Sequence, residues 1–277
     1  MPTRTPSIVW HARHNHAIPD VSNPARHVQW QKIEEAKRRL FYSLIKFRLP
    51  TSTSRCREPL VFQFLDDMPN RKQIMTGHDN GVITVALREA DDGEREKLRV
   101  QMGETYRTLL GHFRHEVGHY YWDVLVRDRG LLEQWRSMFG DERHDYSKAM
   151  EHYYRTGAPA DWRDAFISPY ASMHPWEDFA ETWAHYIHIV DALEMAHAFG
   201  VRLAPRTVAS VALSTGVDTN PYRMSSIAAI IEDWLPVCTA VNNLNRAMGQ
   251  PDLYPFVLSP KAIDKIAYVH RLIRRPL

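Results

Sequence analysis

From Gln29 to Phe47 the apolar residues Trp30, Ile33, Leu40, Phe41, Leu44 and Ile45 recur among charged ones at the three-to-four-residue spacing of one helix face. Leu49-Pro50 and the Thr/Ser run behind it end that helix, because a residue before proline is pushed out of the helical region. Leu60 to Leu65 and Val82 to Leu87 are short apolar runs that predict strands. Asn80-Gly81, in front of the second run, favours the positive φ angles of a tight hairpin. A helical period then runs from Asp91 through Leu98, Met102, Tyr106, Leu109, Phe113, Val117, Tyr120 and Val124. Asp91 followed by Glu94 is its start signal, and Arg127 to Gly130 close it.

Farther along, an aromatic-rich helical stretch from Leu131 to Arg155 leads to a loop at Gly157-Ala158-Pro159 and a turn at Ser168-Pro169. Pro175 suits the first turn of a second long helix, which reaches about Phe199 and stops at Gly200. Two more helices are predicted near Ser225 to Met248, with Pro236 expected to kink or break it, and from Lys261 to Ile273. The pattern predicts an α+β chain, predominantly helical, with a small sheet ahead of the helix over 91–127. Residues 1–27 carry four prolines and no apolar period, and read as an extended lead; residues 28–277 are expected to form a single domain.

Composition narrows the class without naming a function. Apolar residues at 44% and charged residues at 25% are the balance of an ordinary globular chain. A net charge of +2 supplies no field for nucleic acid or an anionic membrane. The basic stretches Lys37 to Arg39 and Arg271 to Arg275 are short and interleaved with apolar residues, as solvated helix faces are. No apolar run reaches the roughly 18 residues of a membrane span. The N-terminus MPTRTPSIVWHARHNH lacks the apolar centre of a signal peptide, so the expectation is a cytoplasmic protein with neither membrane nor nucleic acid as partner. Cys56 and Cys238 are the 2 cysteines and form no CxxC, which excludes a disulfide framework and a cysteine-built zinc ribbon. The count of 15 histidines is unusual, and it directs attention to metal ligands.

On the predicted 91–127 helix, His115 and His119 lie about 40° apart around the axis and about 6 Å along it, because each residue turns about 100°. Both imidazoles can reach one ion. Glu116 lies about 60° beyond His119, close enough to contact a water beside that ion without binding the ion itself. His115-Glu116-Val117-Gly118-His119 is thus an HExxH arrangement, in which two imidazoles hold zinc and the glutamate acts as base. Gly118, without a side chain, lets another backbone pack beside it.

A catalytic zinc takes three protein ligands and keeps one position open, so a third ligand is required. The segment His174-Pro175-Trp176-Glu177-Asp178-Phe179-Ala180-Glu181 offers it. Glu177 and Glu181 stand four residues apart and would repel one another unless a cation or histidine lies between them. Trp176, Phe179, Trp183 and Tyr186 make their surroundings too apolar for a free surface. Glu177 is therefore read as the third ligand, and Glu181 as the acceptor that fixes the tautomer of a ligating histidine. Two solvated glutamates on a surface helix are the plain alternative.

The runs TGHDNGVITVALREADDGERE (Thr76 to Glu96), GETYRTLLGHFRHEVGHYYWDVL (Gly103 to Leu125), SPYASMHPWEDFAETWAHYIHIVDAL (Ser168 to Leu193) and LYPFVLS (Leu253 to Ser259) closely resemble a bacterial family of zinc-binding metallopeptidases. The resemblance spans nearly the whole chain from about Ile18 onward, and its layout is that of a gluzincin: HExxH with a downstream glutamate. Many members carry an N-terminal cysteine zinc ribbon ending before a segment like Arg13 to Asp20. No cysteine lies there in this chain, so that ribbon is expected to be absent.

The resemblance implies a zincin-like catalytic domain, one catalytic Zn2+ and a peptide or protein substrate. Glu116 would take a proton from water and pass it to the leaving nitrogen. A donor for the developing oxyanion is also needed. Tyr170 resembles in placement a tyrosine that some gluzincins use for this, and His174 is its rival. The strand Val82 to Leu87 could offer an edge to an extended peptide, or be a paired interior strand.

The other histidines have plainer readings. His112 is expected to be a packing histidine rather than a fourth ligand, His185 and His188 to bond neighbours, and His78 to shape a turn. His11, His14 and His16 lie in the lead. Two other functions stay open at this point. A zinc-dependent amidase or other non-peptide hydrolase needs the same ligands and base. A non-catalytic, zinc-stabilised interaction module needs no base at all, and the presence of Glu116 speaks against it.

Overall fold

A computed structural model of the chain describes residues 22–51, 56–67, 73–101, 108–206 and 213–275. The expected lead, with His11, His14 and His16, lies outside the described residues as far as position 21. Helix makes up 62% of the structure and a small sheet precedes the HExxH helix, so the fold is a predominantly helical α+β one. Two compact units divide the chain, Met1–Gly140 and Asp141–Leu277.

In the first unit, helix α1 spans Pro24–Lys46. It begins ahead of the predicted Gln29 because Asn23 caps it, the Oδ1 accepting the Ala25 N–H at 3.1 Å, with Pro24 in the first turn. The predicted apolar face is buried at Ile33, Leu40 and Leu44. Strands β1 (Val61–Leu65), β2 (Gly77–Asp79) and β3 (Val82–Ala86) form a sheet in the order β1-β3-β2. β1 runs parallel to β3, with Val61 opposite Val82, and β2 runs antiparallel to β3, with Asp79 opposite Val82. Asn80 and Gly81 form the two-residue hairpin loop with φ of 47° and 84°. A Cβ at Gly81 would lie 2.4 Å from the Pro59 carbonyl oxygen, so only glycine fits there. Of the two readings of Val82 to Leu87, a free edge or a paired interior strand, the second holds: β3 is the central strand, with both sides paired. Alternation within one strand tells which face is buried but not which neighbours its backbone has.

Helix α2 spans Asp92–Gln101 and is capped as predicted, the Asp91 Oδ1 accepting the Glu94 N–H at 2.9 Å. The continuous helix expected from Asp91 to Arg127 is corrected. A separate helix α3 spans Leu109–Trp122 behind an extended Thr108, whose hydroxyl accepts the Gly111 N–H at 3.0 Å. Threonine offers the backbone a cap in competition with helix continuation, and an apolar period runs through such a break unchanged. Met102 and Tyr106 lie outside the described residues. A π-helical turn, Asp123–Arg127, continues α3, and α4 spans Leu132–Phe139.

The sheet and α1 hold α3 in place. Phe113 packs its ring against Phe62 and Phe64, at 5.7 and 6.2 Å between centroids. Tyr120 and Tyr121 each donate a phenol hydrogen bond of 3.0 Å, to the carbonyls of Glu58 and Pro50. These contacts use the core side of α3 and fix the rotation of the opposite side, which carries His115 and Glu116.

In the second unit, α5 spans Tyr146–Thr156, α6 Pro175–Ala198, α7 Ile227–Ala247 and α8 Pro260–Arg274. A two-residue antiparallel ribbon, β4 (Arg202–Leu203) with β5 (Thr215–Gly216), completes it. Along α6, Phe179, Trp183, Tyr186 and Val190 are fully buried, and α8 packs on this helix. Helix α7 continues through Pro236 without breaking, with Pro236 itself buried. None of the described helices is long and apolar enough to cross a membrane.

His270 on α8 reports on this packing. Its Nδ1 faces the Tyr186 hydroxyl at 3.0 Å and its Nε2 the Ser225 carbonyl at 2.9 Å, with Arg274 and Arg271 alongside. Burial pushes its pKa below the ordinary 6.5 and the two arginines act in the same direction, against the carbonyl of Ser225. Below that value the unfolded chain binds a proton that the native chain refuses, so stability falls as pH falls through about 6.5. Urea unfolding between about pH 7 and pH 5 is expected to show this decline, and His270→Gln to make it shallower, with His78 still contributing in the same direction. An identical slope in the variant would overturn the assignment.

Candidate metal centre

The HExxH residues occupy one turn and a half in the middle of α3. The Nε2 atoms of His115 and His119 are 3.2 Å apart, with ring centroids at 4.9 Å and planes at 81°. Two nitrogens bound to one zinc at 2.0–2.1 Å and a tetrahedral angle are separated by roughly 3.3 Å. The pair therefore has the spacing of two ligands, and the donor set fits the metal. His119 is only 4% exposed, whereas His115 and Glu116 are half-buried, so one imidazole is held in the protein interior while the base stays accessible.

His78 flanks this pair from the β2–β3 hairpin. Its ring stacks along that of His119 at 6.4 Å and 16°, and its Nε2 accepts the Gly81 N–H at 3.1 Å. Burial pushes its pKa down to about 4, helped by His119 and Arg127, so the ring is neutral at physiological pH. It shapes the turn, as its position before Asn80-Gly81 suggests. His112 places Nδ1 3.1 Å from the buried carboxylate of Glu89, which agrees with a structural rather than a ligating histidine.

In the second unit, Glu177 stands in the first turn of α6, where a carboxylate suits the positive end of the helix. It is 2% exposed, and the Tyr146 phenol donates a hydrogen bond to its Oε1 at 2.9 Å. The neighbouring Asp178 is fully buried and pairs with Lys265 of α8 at 2.6 Å; that ammonium also donates to the Ala165 carbonyl at 2.7 Å and lies over the Phe166 ring. Burial pushes the Asp178 carboxyl up to about 7 against the pull of Lys265. One turn on, Glu181 accepts the Ser168 hydroxyl at 2.7 Å through Oε2.

The two candidate oxyanion donors differ in what they are free to do. His174 caps α6: its Nδ1 accepts the Trp176 N–H at 3.2 Å and its Nε2–H donates to the His144 carbonyl at 3.1 Å. Both nitrogens are thus committed to backbone. Tyr170, in the turn before α6, packs edge-on to Tyr153 at 5.8 Å. Burial, the Glu177 carboxylate and Tyr146 hold its phenol well above the ordinary range, so it keeps its proton and remains a donor. His185, farther along α6, bonds the Tyr254 hydroxyl at 2.8 Å and packs against Phe256, which makes it a packing histidine.

A family profile described as "Putative zinc-binding metallo-peptidase" matches residues 26–272, which include all of these side chains. The chain belongs to that family. It is 43% identical over 259 residues to uncharacterized proteins of Mycobacterium bovis and of two strains of Mycobacterium tuberculosis, covering 92% of this chain and 72% of each relative. No solved structure matches it.

Within this family member, the sequence pattern singled out the HExxH residues, Glu177, Glu181 and Tyr170 as candidates. It passed over Tyr146, which reaches Glu177 from 31 positions away, and the Asp178–Lys265 pair, separated by 87. One signal was available for the pair. Asp178 lies between Glu177 and Phe179 at the start of a helix too apolar to leave a bare charge, so a buried cation was called for.

Proposed function

We propose that this protein is a zinc-dependent metallopeptidase of gluzincin type in a zincin-like fold, with His115, His119 and Glu177 holding one Zn2+. The observation that carries the reading is the imidazole pair, with Nε2 atoms 3.2 Å apart on a helix whose intervening turn presents Glu116. Two imidazoles and a carboxylate are the donor set that a catalytic zinc takes. Three ligands and an adjacent carboxylate also argue for catalysis, since a structural zinc closes with four protein ligands and needs no base.

Zinc, when bound, acidifies water toward neutrality and polarises a carbonyl. Glu116 accepts the proton of the attacking water on its carboxylate and delivers it to the leaving amide nitrogen. Tyr170, protonated and close to Glu177, donates to the developing oxyanion. Glu181 accepts the Nδ1–H of a ligating imidazole and thereby holds its Nε2 bare for the ion. The substrate is a peptide or protein.

Elemental analysis of the purified protein is expected to find one zinc per chain, and the His119→Ala variant to lose it along with cleavage of casein or a peptide library. One tightly held zinc retained by His119→Ala would overturn the site.

A further inference from the structure

We infer that Tyr146 is a positioning residue for the metal-ligating carboxylate, holding Glu177 so that one oxygen is spent on the phenol and the other is presented to the ion. The inference rests on the zinc reading above and adds to it a residue that the HExxH and downstream-glutamate pattern does not contain.

The hydrogen bond is built into the backbone on both sides. Tyr146 is the first residue of α5, whose start is set by Asp145, the Oδ1 accepting the Lys148 N–H at 3.0 Å. Glu177 is in the first turn of α6, whose start is set by His174. The two starts are tied together, because the His174 ring that caps α6 also donates to the carbonyl of His144, two residues before Tyr146. The Tyr146 ring lies edge-on to His174 at 5.3 Å and to Trp176 at 6.2 Å, so its hydroxyl is aimed by two neighbours rather than by one flexible torsion. From there it donates to the Glu177 Oε1 at 2.9 Å.

A phenol suits this task better than a cation would. It fixes the carboxylate by a directional bond and leaves the full negative charge available to the metal, whereas a lysine or arginine would compete for that charge. With Oε1 engaged, binding through one oxygen is favoured over binding through two, which keeps a position open for water. Partners of ligating side chains are worth about ten- to a hundredfold in metal affinity.

Tyr146→Phe removes the hydroxyl and keeps the ring against His174 and Trp176. Zinc affinity would be measured by chelator competition for wild type, Tyr146→Phe, Glu177→Ala and the double variant, and the visible spectrum recorded for the cobalt-loaded forms. Tyr146→Phe is expected to weaken zinc about tenfold, with the metal-free protein still unfolding in one cooperative step. Its cobalt bands are expected to lose intensity, as two-oxygen binding raises the coordination number. In the Glu177→Ala background the same change is expected to add nothing. Unchanged affinity and spectrum in Tyr146→Phe, or an equal loss in the double-variant background, would overturn the inference while Glu177→Ala still loses zinc. If Glu177→Ala itself keeps wild-type affinity, the ligand assignment falls and the inference with it.

Discussion

Glu116→Gln is expected to lower the rate of peptide cleavage by about a hundred- to ten-thousandfold while leaving one zinc bound per chain. The amide keeps the size and the hydrogen-bonding reach of the carboxylate, but it cannot accept a proton from water. Glu116 sits half-exposed on α3 beside two imidazoles whose nitrogens are already spaced for an ion, so its replacement disturbs neither ligand. That separation of effects is what distinguishes a base from a ligand. His119→Ala should lose metal and activity together, and Glu116→Gln activity alone. Single-turnover cleavage of a peptide library, with elemental analysis on the same samples, measures both. Turnover within a few-fold of wild type in Glu116→Gln would remove Glu116 from the chemistry, and loss of zinc would make it a ligand.

The largest stability effect is expected away from the reacting atoms. Lys265→Met should cost about 3–5 kcal/mol, because it leaves the buried carboxyl of Asp178 without its cation. Asp178 is 0% and Lys265 7% exposed, and the ammonium also satisfies the Ala165 carbonyl, so one substitution strands two acceptors. Protonation of Asp178, already pushed up to about 7 by burial, would recover part of the loss. Asp178→Asn combined with Lys265→Met should therefore be more stable than Lys265→Met alone, because breaking a buried pair costs more than replacing it whole. Urea unfolding of the four proteins closes the cycle. A Lys265→Met variant within about 1 kcal/mol of wild type would show that the pair is not a strut, since exposed ion pairs have values of that size. The pair joins α8 to the first turn of α6, one residue from Glu177, and so steadies the backbone that presents the proposed ligand.

Much of this was open to reading along the chain, and the misreadings have identifiable causes. The hairpin at Asn80-Gly81 and the helix starts at Asp91 and Pro175 depend on a residue's own φ preference or on a side chain reaching two or three positions along. The break at Thr108 was missed because the apolar period is blind to a residue that leaves the helix and lets a new one start in phase. Pro236 was expected to disturb α7, yet packing of Ile230, Ile231, Trp234 and Val237 holds the helix through it. Strand β3 was identified as a strand, but edge and interior placements stayed open, since pairing is a property of its neighbours.

By itself, then, the amino-acid order determined the elements of the fold and the pairing of His115 with His119, because a turn of helix is a local object and brings the fourth residue on beside the first. Folding decided what surrounds each group: His78 stacked beside His119, Tyr146 on the Glu177 carboxylate, Lys265 against Asp178, and both nitrogens of His174 given over to the backbone. These partners come from 31 to 87 positions away for the two carboxylates, a range at which no periodicity connects residues. Their selection is made by burial, which forbids a charge or a polar atom to enter the interior unless the packing of other elements supplies its complement.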